Sequence, residues 1–197
     1  MIMERLAAWA MKSAGPFLEK ELAPAKERWI SPLRGKVLEL GPGLGTNLPY
    51  LAQADWTGLE PNSAMRAALL AKSVPGPVLD APAERIPLPD ASFDAVVCTL
   101  VLCSVRDPAR VLAEVRRVLK PKGVFVFLEH VASATGGRRA VQHLLRPACG
   151  LIGCHPVRPT GELIARAGFA EVVQEPYPMR GMALLPHIVG RASQSIC

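Results

Sequence analysis

The sequence predicts an α/β domain: a doubly wound, mostly parallel seven-stranded sheet with an antiparallel last strand and an N-terminal helical cap. Three observations carry that expectation. From residue 36 onward, short runs of branched apolar residues alternate with segments of helical periodicity, the pattern of repeated βα units. The first run, Val37-Leu38-Glu39-Leu40, passes straight into Gly41-Pro42-Gly43-Leu44-Gly45, whose alternate glycines let a backbone turn sharply and come close to a ligand. The 197 residues, half of them hydrophobic and a fifth charged, are enough for one substantial core.

Residues 1–34 read as the helical cap, because Ile2, Leu6, Trp9, Phe17, Leu18 and Leu22 recur at helical intervals, with an interruption at Gly15-Pro16. Such a segment either packs on the domain as a lid or lies against lipid through residues 1–18. Residues 35–197 make up the rest of the single domain. Strands are expected at 36–40, 55–60, 77–80, 93–100, 123–130, 169–175 and 183–190, and helices at 45–53, 62–72, 108–119, 137–146 and 159–167. Asn62 suits the N-cap of the second of these helices. Phe93 to Leu100 is apolar enough for a central strand, and Leu119-Lys120-Pro121-Lys122-Gly123 is a tight turn into the next one. Right-handed crossovers put ligands at the carboxyl ends of the strands, near the point where strand order reverses. No internal repeat, low-complexity tract or linker interrupts the pattern.

Composition narrows the partners. A net charge of +6 and a pI near 9.3 favour anionic encounters. The basic residues from Arg106 to Lys122, however, follow one helix and its exit, as a solvated face does. Aromatics make up 5% of the chain, which speaks against a base-stacking platform and a nucleic-acid partner. Cys98, Cys103, Cys149, Cys154 and Cys197 are odd in number and include no C-x-x-C pair, and no secretory leader is evident. A reduced, cytoplasmic protein is expected, at most peripheral to a membrane. The longest apolar run, Ala95 to Val105, is far short of the roughly 18 residues that span a bilayer.

The chemistry concentrates after the strands. In the glycine turn the third glycine is Gly45, followed by Thr46 and Asn47, so the spacing departs from the G-x-G-x-x-G of dinucleotide folds. A carboxylate, Glu39, just before alternating glycines suits S-adenosylmethionine (SAM), which carries a sulfonium and an amino acid but no pyrophosphate. Glu60 lies fifteen positions beyond Gly45, near the interval at which an acid meets a ribose. It either accepts both ribose hydroxyls or adds negative charge before the helix capped by Asn62. Pro61 and Met65 follow it. The third strand leads into Asp80-Ala81-Pro82-Ala83-Glu84, a loop placed to close over an adenine through Ala83 and Glu84. Thr99 and Leu100 end the central strand, where cofactor and acceptor would meet, and Glu129 and His130 end the next one.

This order of motifs resembles the class I SAM-dependent methyltransferases, which have a Rossmann-like fold, over residues 36–190. Within them, Val97-Cys98-Thr99-Leu100-Val101-Leu102-Cys103-Ser104-Val105, Glu129-His130-Val131-Ala132 and Pro186-His187-Ile188-Val189-Gly190 resemble the small thiol S-methyltransferases of the methyltransferase-like seven group. The resemblance implies a SAM cofactor and S-methylation of a small, apolar thiol. O-, N- or C-methylation of a lipid, quinone or secondary metabolite is the alternative, and a non-catalytic SAM-binding protein a third. Two departures stand out: Pro82 occupies a position often held by Asp, and membrane-associated members carry an apolar N-terminal anchor where this chain has a short amphipathic segment. The amine-methylating signature Asn/Asp-Pro-Pro-aromatic is replaced by Cys98-Thr99-Leu100-Val101.

Methyl transfer from a sulfonium needs in-line placement and exclusion of water more than covalent catalysis. An acceptor thiol, mostly protonated at neutral pH, would lose its proton to His130 or Glu129. His130 titrates nearer neutrality, and its alternative role is to orient Glu129 or a loop. Cys149, Cys154, His155 and His143 raise the question of a metal or arsenite site. The spacing Cys149-x4-Cys154 is not a usual zinc pattern and Leu151-Ile152 suggests packing, so no metal is expected.

Overall fold

The computed structural model describes residues 2–151, 153–180, 182 and 184–195; Ile152 and Cys197 fall outside them. Helix α1 (Ile2–Trp29) is followed by β1 (Gly35–Leu40), β2 (Ala54–Leu59), α2 (Ser63–Leu70), β3 (Val78–Leu79), β4 (Phe93–Thr99), α3 (Pro108–Val118), β5 (Leu119–His130), α4 (Gly136–Leu151), α5 (Thr160–Ala165), β6 (Glu171–Tyr177) and β7 (His187–Ser193). The seven strands form one sheet in the order β3-β2-β1-β4-β5-β7-β6. β1 to β5 pair in parallel, and β7 runs antiparallel to both β5 and β6. Strand order reverses between β1 and β4, so the carboxyl ends of these neighbours flank the crevice where such folds hold ligands.

Side-chain alternation along the central strands builds two cores. Leu38, Leu40, Val96, Cys98, Phe125 and Phe127 face Val111, Leu112, Val115 and Val118 of α3. Val37, Ala95, Val97, Val126 and Leu128 face the other way, toward Leu22 and Ala25 of α1 and Leu69 of α2. The cap is therefore part of the second core.

Three expectations are corrected. Residues 45–53 make no α-helix: Gly45 is left-handed at φ 77°, and the next segment is one 3-10 turn, Leu48–Leu51, before β2 begins. Pro49 removes a donor there, and too few residues remain to propagate a helix. The interruption at Gly15-Pro16 does not occur, since α1 runs unbroken through Pro16 and Pro24. Both prolines and the residues four positions earlier, Lys12 and Lys20, are exposed, which puts the carbonyls the prolines leave free on the solvent side, where orphaned helix carbonyls are tolerated. The last strand starts at His187 rather than 183, after Pro186, and continues to Ser193; Ala183 lies outside the described residues.

Candidate active site

The turn after β1 is held open by backbone conformation and closed by carboxylates. Gly41, Gly43 and Gly45 all have positive φ, at 58°, 55° and 77°. They differ in what surrounds them. A Cβ on Gly41 would meet Val101 Cγ2 at 2.6 Å, and one on Gly45 would meet Leu69 and Leu48 at 2.8 and 2.9 Å. Among the described residues, a Cβ on Gly43 would meet nothing nearer than Met65 Sδ at 3.8 Å and the Gly41 carbonyl at 3.9 Å. Gly41 and Gly45 let elements pack; Gly43 faces open space.

That space is a cavity of about 50 Å³ lined by Glu39, Gly41, Gly43, Asn47, Thr99 and Leu100 on the sheet side and roofed by α1. Glu39 is fully buried there. Its Oε1 accepts from Asn47 Nδ2 at 2.8 Å and its Oε2 from Trp56 Nε1 at 2.8 Å. Burial outweighs these bonds and pushes its carboxyl up to about 7. Asn47 Nδ2 also reaches Thr99 Oγ1 at 3.1 Å, while its buried Oδ1 has no partner among the described residues. Glu60 Oε2 accepts from the Gly43 amide at 2.8 Å and Oε1 from the Asn62 amide at 2.9 Å, so it braces the glycine turn against α2. Its carboxyl also lies above the usual range through burial, opposed by those amides. Asn62 caps α2, accepting from Ala64 and Met65.

Leu100 reaches the cavity in a left-handed conformation, φ 57°, rare for a branched side chain and typical of functional turns. Glu129 explains part of it. Fully buried at the end of β5, its Oε1 accepts from the Val101 and Leu102 amides at 2.8 and 3.0 Å and from the Cys98 thiol at 3.2 Å. Glu129 thus holds the turn after β4, and burial raises its carboxyl. His130 Nε2 stands 3.0 Å from Cys154 Sγ, and its buried Nδ1 has no partner among the described residues. The His187 ring lies edge-on at 6.2 Å, with its imidazole pushed down to about 4 by burial.

The fold therefore gathers Glu39, Gly41, Gly43, Asn47, Thr99 and Leu100 at one cavity, with Gly45, Glu60 and Met65 directly behind it. Pro61 is exposed, Ala83 is buried in the core, and Glu84 is turned to the Arg106 and Asp107 amides, at 2.8 and 3.4 Å. These three do not line it. Lys26 does, and nothing in the sequence marks it. It is 1% exposed, with Nζ 2.5 Å from Glu19 Oε2 and 3.2 Å from Thr46 Oγ1. In Ala25-Lys26-Glu27-Arg28 it reads as one more solvated charge. Trp56, which orients Glu39, reads as a core residue for the same reason.

Comparison with known proteins agrees with this architecture. A model described as a methyltransferase domain matches residues 38–127, from β1 to β5. The fold superposes on a SAM-dependent methyltransferase of Thermotoga maritima, described as a possible histamine N-methyltransferase, with a TM-score of 0.71 over 98% of this chain and all of that one. Their identity is 21%, so this likeness concerns the fold alone. Human thiol S-methyltransferase TMT1A is 35% identical over 170 residues, 79% of this chain and 69% of that protein. Human thiol S-methyltransferase TMT1B is 36% identical over 222 residues, 97% of this chain and 91% of that protein. An alignment running nearly the length of both molecules, over a matched methyltransferase domain, makes this chain a SAM-dependent methyltransferase that belongs to the thiol S-methyltransferase family.

Proposed function

We infer that the enzyme transfers the methyl group of SAM to the sulfur of a small apolar thiol. The observation that carries the cofactor half is the pair of buried carboxylates, Glu39 and Glu60, on either side of the open Gly43. In this reading Glu60 accepts the ribose hydroxyls with lone pairs its two amide bonds leave free. Glu39 and Asn47 Oδ1 face the amino-acid moiety of SAM, Lys26 its carboxylate, and Thr99 and Leu100 flank the reacting sulfur. Support for the thiol half comes from the family. Incubating the enzyme with SAM and a panel of thiols, phenols and amines, and reading S-adenosylhomocysteine release, tests it. Turnover only with phenols or amines would sink the thiol assignment and leave the SAM assignment standing.

Glu60→Ala should weaken SAM binding by about 1.5–3 kcal/mol, the range for hydrogen bonds to a charged group. Titration calorimetry reads it, and unchanged affinity in a folded variant removes Glu60 from the ribose site.

Glu39 gives the affinity a pH dependence. Its folded-state pKa, about 7, lies above the ordinary 4.5, so between these values the folded protein holds a proton that the unfolded chain releases. Stability of the cofactor-free protein therefore falls as pH rises through that window. Cationic SAM favours the carboxylate and expels the proton, so affinity should rise with pH, by at most about tenfold per unit, and level off above about 7. Glu39→Gln should flatten the profile; a wild-type profile already flat from pH 5 to 8 would exclude this role.

The cap is read as a lid. A cavity of about 50 Å³ is well below the roughly 300–1,000 Å³ of ligand pockets, so α1 must shift to admit SAM. Residues 1–34 form the lid and 35–197 the catalytic unit of one domain. Deleting residues 1–14 should impair methyl transfer more than SAM binding. Ile2, Trp9 and Phe17 stay exposed on α1, the feature that favours peripheral membrane contact through residues 1–18. No described helix is long and apolar enough to cross a membrane. Flotation with anionic liposomes should show salt-sensitive binding that the deletion abolishes.

The proton of the acceptor thiol leaves through His130 in this reading. Glu129 serves as the positioning residue that holds Val101 and Leu102.

A further inference from the structure

We propose that Cys103, His130 and Cys154 form a binding site for a thiophilic divalent cation, Zn²⁺, whose fourth coordination position takes the sulfur of the methyl acceptor. The fourth-position half rests on the thiol reading above; the metal half does not.

The three residues come from the turn after β4, the end of β5 and the segment after α4, yet their ligating atoms all lie within 4.8 Å of one another. Zn–S bonds of about 2.3 Å and Zn–N bonds of about 2.0 Å at tetrahedral angles separate ligand atoms by about 3.5–3.8 Å. The 3.0 Å contact between His130 Nε2 and Cys154 Sγ needs to open by roughly half an ångström to meet that spacing. The segment carrying Cys154 is already fixed against the turn carrying Cys103. The His155 amide donates to the Cys103 carbonyl at 2.9 Å, and Arg158 Nη1 donates to the carbonyls of Leu102 and Val105. Two sulfurs and an imidazole without a carboxylate select a borderline-soft cation over Mg²⁺ or Ca²⁺.

Three protein ligands are the number a catalytic zinc site uses, leaving one position for water or substrate. Cys149 accepts the Cys154 amide at its carbonyl, at 3.0 Å, but its thiol stands outside the set of three. The cluster touches the cavity wall through one residue rather than lining it. Leu100, which lines it, gives its carbonyl to the Cys103 thiol at 3.4 Å.

The chemistry balances without redox. As the acceptor sulfur binds the cation, its proton passes to water. A lone pair on that sulfur forms the new S–CH3 bond while the methyl–sulfonium bond of SAM breaks. The electrons of the broken bond stay on the departing sulfur, giving S-adenosylhomocysteine, and the neutral thioether leaves the cation. His130 serves here as a ligand and takes up no proton, so the cation rather than a free imidazole drives loss of the thiol proton.

The test uses the reduced, metal-stripped protein titrated with Zn²⁺ against a chromophoric chelator. One equivalent should bind, with affinity cut at least tenfold in Cys154→Ser and in Cys103→Ser and kept in Cys149→Ser. Co²⁺ in place of zinc should give a thiolate-to-metal absorption band that shifts when a small thiol is added without SAM. Folded wild-type protein that binds no zinc, or that isolates with a Cys103–Cys154 disulfide resistant to mild reduction, would overturn the site, even if thiols are methylated. Zinc binding with no thiol-induced change in the cobalt spectrum would overturn the fourth-position half. Zinc binding with no thiol turned over in the acceptor panel would instead overturn the thiol reading. Should a serine variant fail to fold, the wild-type stoichiometry and cobalt spectrum still decide.

Discussion

Gly43→Val is expected to abolish measurable SAM binding in a protein that still folds. Gly43 sits at φ 55°, so valine there is strained by about 1–2 kcal/mol. That is a fraction of the roughly 5–15 kcal/mol that stabilises a domain. The added atoms start from a Cβ that strikes no wall, since its nearest neighbours among the described residues are Met65 Sδ at 3.8 Å and the Gly41 carbonyl at 3.9 Å. They enter the cavity instead, between Glu39 and the Glu60-bound amide. Gly41→Val and Gly45→Val should behave differently, since their side chains strike Val101, Leu69 and Leu48 at under 3 Å and destabilise the fold itself. Thermal melts separate the cases. SAM should raise the wild-type midpoint and leave that of Gly43→Val unmoved, whereas the other two variants should melt early with or without cofactor. A Gly43→Val protein that binds SAM like its parent would place the cofactor elsewhere.

The glycine turn was legible because its chemistry is local: strand, carboxylate and alternating glycines lie within nine residues, Val37 to Gly45. The sheet was legible for a related reason, since strands buried on both faces read as unbroken apolar runs whatever their order. The failures share a cause too. Pro16 and Pro24 signal breaks only if the carbonyls they orphan are buried, and the sequence does not say that Lys12 and Lys20 face water. The segment 45–53 has helical periodicity in Leu48 and Leu51, but left-handed Gly45 at its start and Pro49 within it leave too few residues to nucleate a helix. Lys26 and Trp56 acquire their roles from contacts 20 and 17 residues away, with Thr46 and Glu39. Cys103, His130 and Cys154 are separated by 27 and 24 positions and meet only because α4 folds its exit back onto the ends of β4 and β5. Spacing rules for metal sites read neighbours along the chain, and this cluster has none. Glu129 shows the limit of the same reading: its place at the end of a strand marks it as a candidate, but its bonds to the Val101 and Leu102 amides, 28 and 27 positions away, are visible only in the fold.

His130→Asn should lower methyl transfer to a thiol by roughly 10²–10⁴-fold, the contribution of a group that manages a proton in the transition state. Asparagine keeps a polar, planar side chain at the end of β5 but neither takes up a proton nor offers an imidazole nitrogen. SAM affinity should be retained, because His130 does not line the cavity that holds Glu39, Gly43 and Asn47. The loss should therefore fall on turnover rather than on the Michaelis constant for SAM. Glu129→Gln supplies the comparison. A glutamine carbonyl can accept from the Val101 and Leu102 amides as Glu129 Oε1 does, at 2.8 and 3.0 Å, so the turn carrying Leu100 should survive. Its effect on turnover should be small beside that of His130→Asn. Equal losses would mean the two residues act as one unit at the reacting sulfur, and a larger loss in Glu129→Gln would transfer the proton to the carboxylate. His130→Asn with wild-type turnover on every thiol tested would remove His130 from the chemistry and leave the sulfonium alone to draw out the thiolate.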